Sequence, residues 1–525
     1  MFARQVGSGE GLAIISTIVA FIASNILISA VGGFSFIITA YVIYQQFISP
    51  LSKFPGPFWA SLSPLWKLIV FRRGDFHLTI LRLHEKYGRT VRIAPNEVII
   101  AEGSAIRQIY GTVEGRDFFK TDYYDAFTAF RPTIFGQRDP GLHAKRKRIV
   151  SHGYSMNALQ AMEKYVQDRL AVFMDKMSGF ASNGQIVNLS KWSHFFAFDV
   201  IGELAFSEGF GMLDSGIEDE HISLINNQME FGSTIGMIPS LIPMTKLTWL
   251  PIPWLKRIQA GRERLKELTR SRVERRKEKL SDRKDLLGRL IEAKDPVTGE
   301  MLDPIDLRTE AFSSIVAGSD STSSALGYTF YHILSHPSVQ KTVVEEIRAA
   351  FPDKVVGSED SMPKYSELGK LPYLQACIKE SLRLTPPATI HLPRSVPAGG
   401  KMIAGVYYPA KTTVGISALP IHHNPELFGP DALQFNPDRW IHGSKGLSVE
   451  EMNRYWIPFG VGSRQCIGKN VALLELVKLI GTIFLFFDID MIKNSETTEI
   501  PESASYFFAR MSAPVMIRLK ARSAA

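Results

Sequence analysis

The stretch Phe459-Gly-Val-Gly-Ser-Arg-Gln-Cys-Ile-Gly468 gathers the groups best placed to do chemistry in this 525-residue chain. Glycines 460, 462 and 468 bracket Cys466, letting the backbone turn tightly and approach something flat and bulky. The apolar run from Asn470 to Phe487 predicts a helix with Cys466 at its N-terminus, where free N–H groups and the positive dipole end favour a thiolate and lower its pKa. Arg464 adds a cation two residues away. The chain has only one other cysteine, Cys377, which excludes a disulfide framework or a multi-cysteine zinc or iron–sulfur site from this chain alone. A lone cysteine in a Gly-rich turn is usually a small buried apolar residue, so the surrounding pattern has to carry any functional reading.

Two further patterns bear on it. Glu380-Ser-Leu-Arg383 sets opposite charges at i and i+3 of a helix, and Phe435-Asn-Pro-Asp-Arg-Trp440 follows. Ala317-Gly-Ser-Asp-Ser-Thr322 interrupts a helical stretch with a glycine, which costs about 1 kcal/mol relative to alanine, and with side chains that compete for the backbone. Either close packing against Gly318 or a functional demand explains it. His422-His423 suggests a metal pair, but adjacent loop residues without partners read as structural.

As a whole, F-x-x-G-x-R-x-C-x-G at 459–468 resembles, without a departure, the haem-binding loop of the cytochrome P-450 family. The resemblance implies haem b (iron protoporphyrin IX) with Cys466 as its axial iron ligand, Arg464 on a propionate, and Phe459, Gly462 and Gly468 shaping the cofactor's bed. Thiolate ligation in that family pushes electron density through iron and favours O–O cleavage. Glu380, Arg383 and Arg439 resemble the family's structural charge triad, and Arg394 in His391-Leu-Pro-Arg resembles a second propionate partner. His143-Ala-Lys-Arg-Lys147 stands where the family has a tryptophan-to-basic motif. There His143 and Lys147 are the implied propionate contacts, with Arg146 and Arg148 as alternatives. Ala317 to Thr322 is similar to A-G-x-D-T-T with Ser321 at the first threonine, which implies Asp320, Ser321 and Thr322 as the catalytic relay delivering protons to dioxygen. Leu83-His-Glu-Lys-Tyr-Gly88 and Arg92-Ile-Ala-Pro-Asn96 are similar to fungal microsomal members of secondary-metabolite pathways.

The implied activity is a monooxygenase reaction: one atom of dioxygen enters a hydrophobic small molecule and the other leaves as water. No flavin or nicotinamide fingerprint follows a βαβ pattern, so the electrons come from outside; the family implies an NADPH-dependent cytochrome reductase. Two alternatives are a haem-thiolate isomerase or dehydratase, for which the relay is superfluous, and a non-enzymatic haem sensor. By the family's topology, 118–130, 231–243, 312–316, 388–391 and 506–508 face the substrate.

These residues need elements to hold them. Helical spacing covers Phe76–Tyr87, Met156–Met177, Trp254–Lys279, Pro304–Leu334, Pro337–Phe351 and Tyr365–Leu384; a hairpin is expected around Pro95-Asn96 and a small sheet within 388–419. The fold class is therefore mainly α with a small β part, the cytochrome P-450 fold by resemblance, preceded by an N-terminal transmembrane helix. Gly11 to Phe47 carries no charge and suits one bilayer span at about 12–47, or that span plus a shorter one after Gly32-Gly33. Lys53, Lys67, Arg72 and Arg73 follow it, which orients a single span with the bulk in the cytosol; the family implies the endoplasmic reticulum membrane. The expected division is an anchor, 1–50, and a haem-thiolate monooxygenase domain, 51–525, joined at the stiff Phe54-Pro-Gly-Pro57. With 45% hydrophobic and 21% charged residues the chain buries a large core and is no disordered or fibrous protein. Its net charge of +8 suits an acidic partner, and without a basic tail or nucleic-acid motif nucleic acid is not an expected one. The charged run Arg262 to Lys284 reads as a solvated helix face.

Overall fold

The uncharged N-terminal run forms one helix, Ser8–Ile43, ending in a π-helical turn, Tyr44–Ile48. A computed structural model describes residues 8–247, 252–278, 283–354, 362–492, 503–511 and 513–522. The helix runs unbroken through Gly32 and Gly33, with Phe34, Phe36 and Ile37 exposed. Its 36 residues span about 54 Å at the usual rise, against a hydrocarbon core of roughly 30 Å. Ser29–Ile48, of mean hydropathy 1.4, is among the described residues the one helix long and apolar enough to cross a membrane. Its last turns belong to the globule: Arg92 donates to the Gln45 carbonyl (2.9 Å) and side chain (2.5 Å), and the Tyr41 hydroxyl donates to the Leu62 carbonyl (2.9 Å).

Most expected helices form, as Phe76–Tyr87, Met156–Ser182, Pro253–Glu278, Pro304–Ser335 and Pro337–Ala350. Lys279, the expected end of one, lies outside the described residues. Tyr365 to Leu384 is two helices, Tyr365–Leu368 and Pro372–Leu384. Pro372 offers no N–H and clashes with the preceding turn, so it starts a new helix instead of continuing one. Sequence spacing overlooked Leu189–Phe206, which is buried nearly all round and so carries no amphipathic stripe. It packs along Pro304–Ser335, and an added Cβ at Gly318 meets Ile201 at 3.0 Å. Close packing is thus a sufficient reason for that glycine.

Short strands complete the frame. A five-stranded sheet runs in the order Thr90–Ala94, Glu97–Ile100, Thr413–Gly415, Arg394–Ser395, Phe119–Lys120. The expected hairpin and the strands Arg394–Ser395 and Thr413–Gly415 are joined in it, while Lys401–Ile403 and Val406–Tyr408 form a separate pair. Its edge pair is antiparallel with Lys120 opposite Arg394, a juxtaposition of like charges that destabilises a ladder unless an anion lies nearby.

Candidate active site

The cysteine loop is set by backbone geometry. The Cys466 N–H donates to the Phe459 carbonyl at 2.8 Å. Gly462 has φ +70°, and a Cβ there would lie 2.0 Å from the Tyr110 carbonyl oxygen, so no other residue fits. The following helix, Lys469–Phe486, begins just past Gly468. Cys466 opens onto an internal cavity of about 330 Å³ shared with Phe459, Gly460, Gly468 and the middle of the helix Pro304–Ser335. Desolvation pushes its thiol up, against the pull of the Gly468 and Lys469 N–H groups and of Lys147. Coordination to a metal ion removes that proton outright.

Beside the sulfur the cavity wall is cationic. Lys120, His143, Lys147 and Arg464 line it, and Arg394 stands behind, donating to the Tyr124 hydroxyl at 2.6 Å. Arg464 and Lys147 donate only to carbonyls, of Gln137 (2.7 Å), Arg138 (3.2 Å) and Ser463 (2.7 Å). Among the described residues none of Lys120, Lys147, Arg394 and Arg464 has a carboxylate within 4.0 Å. Burial and the neighbouring Arg394 and Arg464 drive the Lys120 ammonium well below its usual range. Burial, then Arg464 and Lys120, lower His143 to about 3. The alternatives Arg146 and Arg148 are engaged elsewhere, on Asp306 (2.5 Å) and Asp295 (2.8 Å). A lone thiol beside glycines and a buried cation cluster lacking its anion fit an iron porphyrin with two propionates. Lys120 escaped the sequence reading because a two-residue strand has no legible pattern.

Across the cavity, Ala317, Gly318, Ser321 and Thr322 form the opposing surface. The Ser321 hydroxyl donates to the Ala317 carbonyl at 2.7 Å. Asp320 is absent from that surface. It is buried on another side of the helix with Arg510 at 2.9 Å, and Arg510 also donates to Asn226 at 2.5 Å.

Beneath the loop, Glu380 accepts from Arg383 (2.8 Å), Arg439 (2.9 Å) and Trp440 Nε1 (2.9 Å), all within the core. Arg383 donates onward to the His422 carbonyl at 2.6 Å. The imidazole of His422 is structural, since the Ile457 N–H donates to its Nε2 at 2.9 Å and its Nδ1 lies 3.0 Å from the Arg383 carbonyl. It ties the triad helix to the segment entering the cysteine loop, and burial followed by Arg383 keeps it neutral, well below its usual pKa.

Apolar side chains of Phe127, Met229, Val316, Ala388, Phe507 and Phe508 also line the cavity, together with the carboxyl groups of Glu310 and Glu475. The expected substrate segments contribute in part. Residues 231–243 do not reach the cavity, whereas Gln228 and Met229 do. His391 turns away to Glu97 at 2.6 Å. Arg262 opens the charged run read as a solvated face, yet it lines the cavity.

A thiol facing a hydroxyl-bearing helix across a slot flanked by buried cations defines a thiolate-ligated cofactor site. Comparison with known proteins agrees: the sequence profile of the family described as Cytochrome P450 matches residues 55–518. Benzoate 4-monooxygenase bphA of Aspergillus niger is 32% identical over 494 residues, covering 87% of this chain and 92% of the relative. A cytochrome P450 monooxygenase of Aspergillus terreus is 33% identical over 508 residues (92% and 98%), and pisatin demethylase of Fusarium vanettenii 31% over 465 (86% of each). The chain belongs to the cytochrome P450 family and is an oxidoreductase of the monooxygenase type with a haem-thiolate cofactor.

Proposed function

We propose that this chain inserts one oxygen atom into a hydrophobic small molecule of fungal secondary metabolism while anchored by one span in the endoplasmic reticulum membrane, its domain from residue 51 on in the cytosol. The overall reaction is R–H + O₂ + NADPH + H⁺ → R–OH + H₂O + NADP⁺, with a membrane-bound reductase relaying the electrons. When bound, haem b supplies the reductive activation of dioxygen. Cys466 is its ligand, lying in the bed formed by Phe459, Gly462 and Gly468. Arg464, Arg394, Lys147 and His143, joined by Lys120, hold the propionates. Glu380, Arg383 and Arg439 hold the loop in place. Ser321 and Thr322 present hydroxyls to the reacting face, and Asp320 passes protons to that helix from the side of Arg510.

The observation that carries the reading is the antiparallel pairing of Lys120 with Arg394, two buried cations of which Lys120 shares a cavity with Cys466 and whose cost an anionic cofactor offsets. The test is the carbon monoxide difference spectrum of the reduced protein. Cys466→Ala should lose the thiolate band, because Cys377 is fully buried on the helix Pro372–Leu384. A surviving wild-type band in that variant sinks the ligand assignment; product formed without dioxygen or NADPH would favour the isomerase.

A further inference from the structure

Arg262 lies on the helix Pro253–Glu278 and Gln228 on the helix Glu220–Gly236, and both line the cavity. The two helices approach closely at Gly261, where an added Cβ would meet Leu224 at 3.3 Å and Gln228 Nε2 at 3.7 Å. Gln228 is itself oriented: its Nε2 donates to the Ile258 carbonyl at 2.8 Å, leaving Oε1 to accept from Arg262 Nε at 3.0 Å. The guanidinium also lies 5.8 Å from the centre of the Phe231 ring. Side-chain amide and ring therefore fix the Nε edge.

No described carboxylate lies within 4.0 Å of Arg262. Its chain neighbour Glu263 is occupied by Lys266 at 2.9 Å. Met229, Phe127 and Val316 line the same cavity. A half-buried cation held in place by neutral partners and facing the cavity is costly unless an anion completes it.

We propose that Arg262, oriented by Gln228, is the specificity-determining anion site of this cavity and that the substrate is a hydrophobic carboxylic acid. The proposal rests on the haem-thiolate reading given above. A carboxylate suits it better than a phosphate: the two Nη groups offer a fork matching two oxygens of a monoanion, and a single cation would leave half of a dianion's charge buried.

The test titrates the full-length holoprotein with 4-phenylbutanoate, 2-naphthoate and dodecanoate, each against its methyl ester. Binding is read by the haem difference spectrum and by equilibrium dialysis. At least one acid should bind about 10–100-fold more tightly than its ester, as a charged hydrogen-bonded pair predicts. That preference should vanish in Arg262→Gln and persist in part in Arg262→Lys, with the thermal midpoint confirming that each variant is folded. Esters binding as tightly as acids throughout, or an undiminished acid preference in Arg262→Gln, would overturn the assignment. A missing thiolate band in the wild-type holoprotein would instead strike the haem-thiolate reading, while the acid preference in dialysis could still stand.

Discussion

Arg510 and Asp320 form an ion pair at 2.9 Å whose members sit in different environments: the arginine side chain is 41% exposed and the aspartate 4%. Asp320 is thereby joined to the surface by its partner while sharing a helix with Ser321, which faces the cavity. The pair gives the helix Pro304–Ser335 a polar link to the surface on a side away from the cavity.

If that connection feeds protons to the reaction, Asp320→Asn combined with Ser321→Ala should retain haem and substrate binding and lose productive turnover by about 10²–10⁴-fold, the usual worth of general acid–base assistance. NADPH consumed, peroxide released and product formed, measured together, should show falling coupling. Arg510→Met should share the defect in milder form. Unchanged coupling in the double variant contradicts the relay.

Glu380 bridges Arg383 and Arg439 in the core, where all three side chains are wholly buried, and Asp431 is a second carboxylate on Arg439 at 3.0 Å. Glu380→Gln leaves two buried guanidinium groups undercompensated, for which a cost of about 3–5 kcal/mol is usual. The urea midpoint should fall accordingly, with loss of haem before global unfolding because His422 couples this helix to the approach of the cysteine loop. A variant as stable as wild type would show the triad to be dispensable.

Glu97 gives a pH signature. Burial raises its pKa, but the adjacent Lys67 and His391 outweigh burial and hold the carboxyl at about 2, against an ordinary 4.5. A depressed carboxylate stabilises the fold fully above its unfolded pKa, and that contribution is lost as pH falls from about 4.5 toward 2, amounting to roughly 3 kcal/mol at most. The stability difference between wild type and Glu97→Gln should therefore shrink over that window. A difference that grows on acidification runs against the assignment.

Removing residues 1–40 and removing 1–50 should differ. The shorter cut keeps Gln45, which accepts two hydrogen bonds from buried Arg92; the longer one strips Arg92 of both. Both variants should leave the membrane fraction, but the second should show a lower thermal midpoint and less bound haem. Equal midpoints would show that the run contributes nothing to the globule.

Local chemistry made part of this protein readable from its residues in order. The 459–468 loop is contiguous, and its glycine spacing, cysteine and arginine act over a few bonds, so the family was legible there. The charge-free N-terminal run was equally plain, because its character is compositional. Amphipathic helices such as Phe76–Tyr87 carry their period on their surface.

What the tertiary structure decided concerns residues whose meaning lies in distant partners. Lys120 and Arg394 are 274 positions apart in number and neighbours only through a two-residue pairing; Arg510 meets Asp320 from the C-terminal hairpin; His422 gains its role from Ile457 and Arg383. Arg262 looked like one more solvated charge until helix packing turned it toward the cavity. For the Cys466 thiol, proximity to a helix start is a local property, while desolvation depends on everything packed around it. Motif and composition are properties of neighbours along the chain and are set by the sequence alone, whereas burial, charge pairing and cavity shape depend on which segments meet, and only the folded chain determines them.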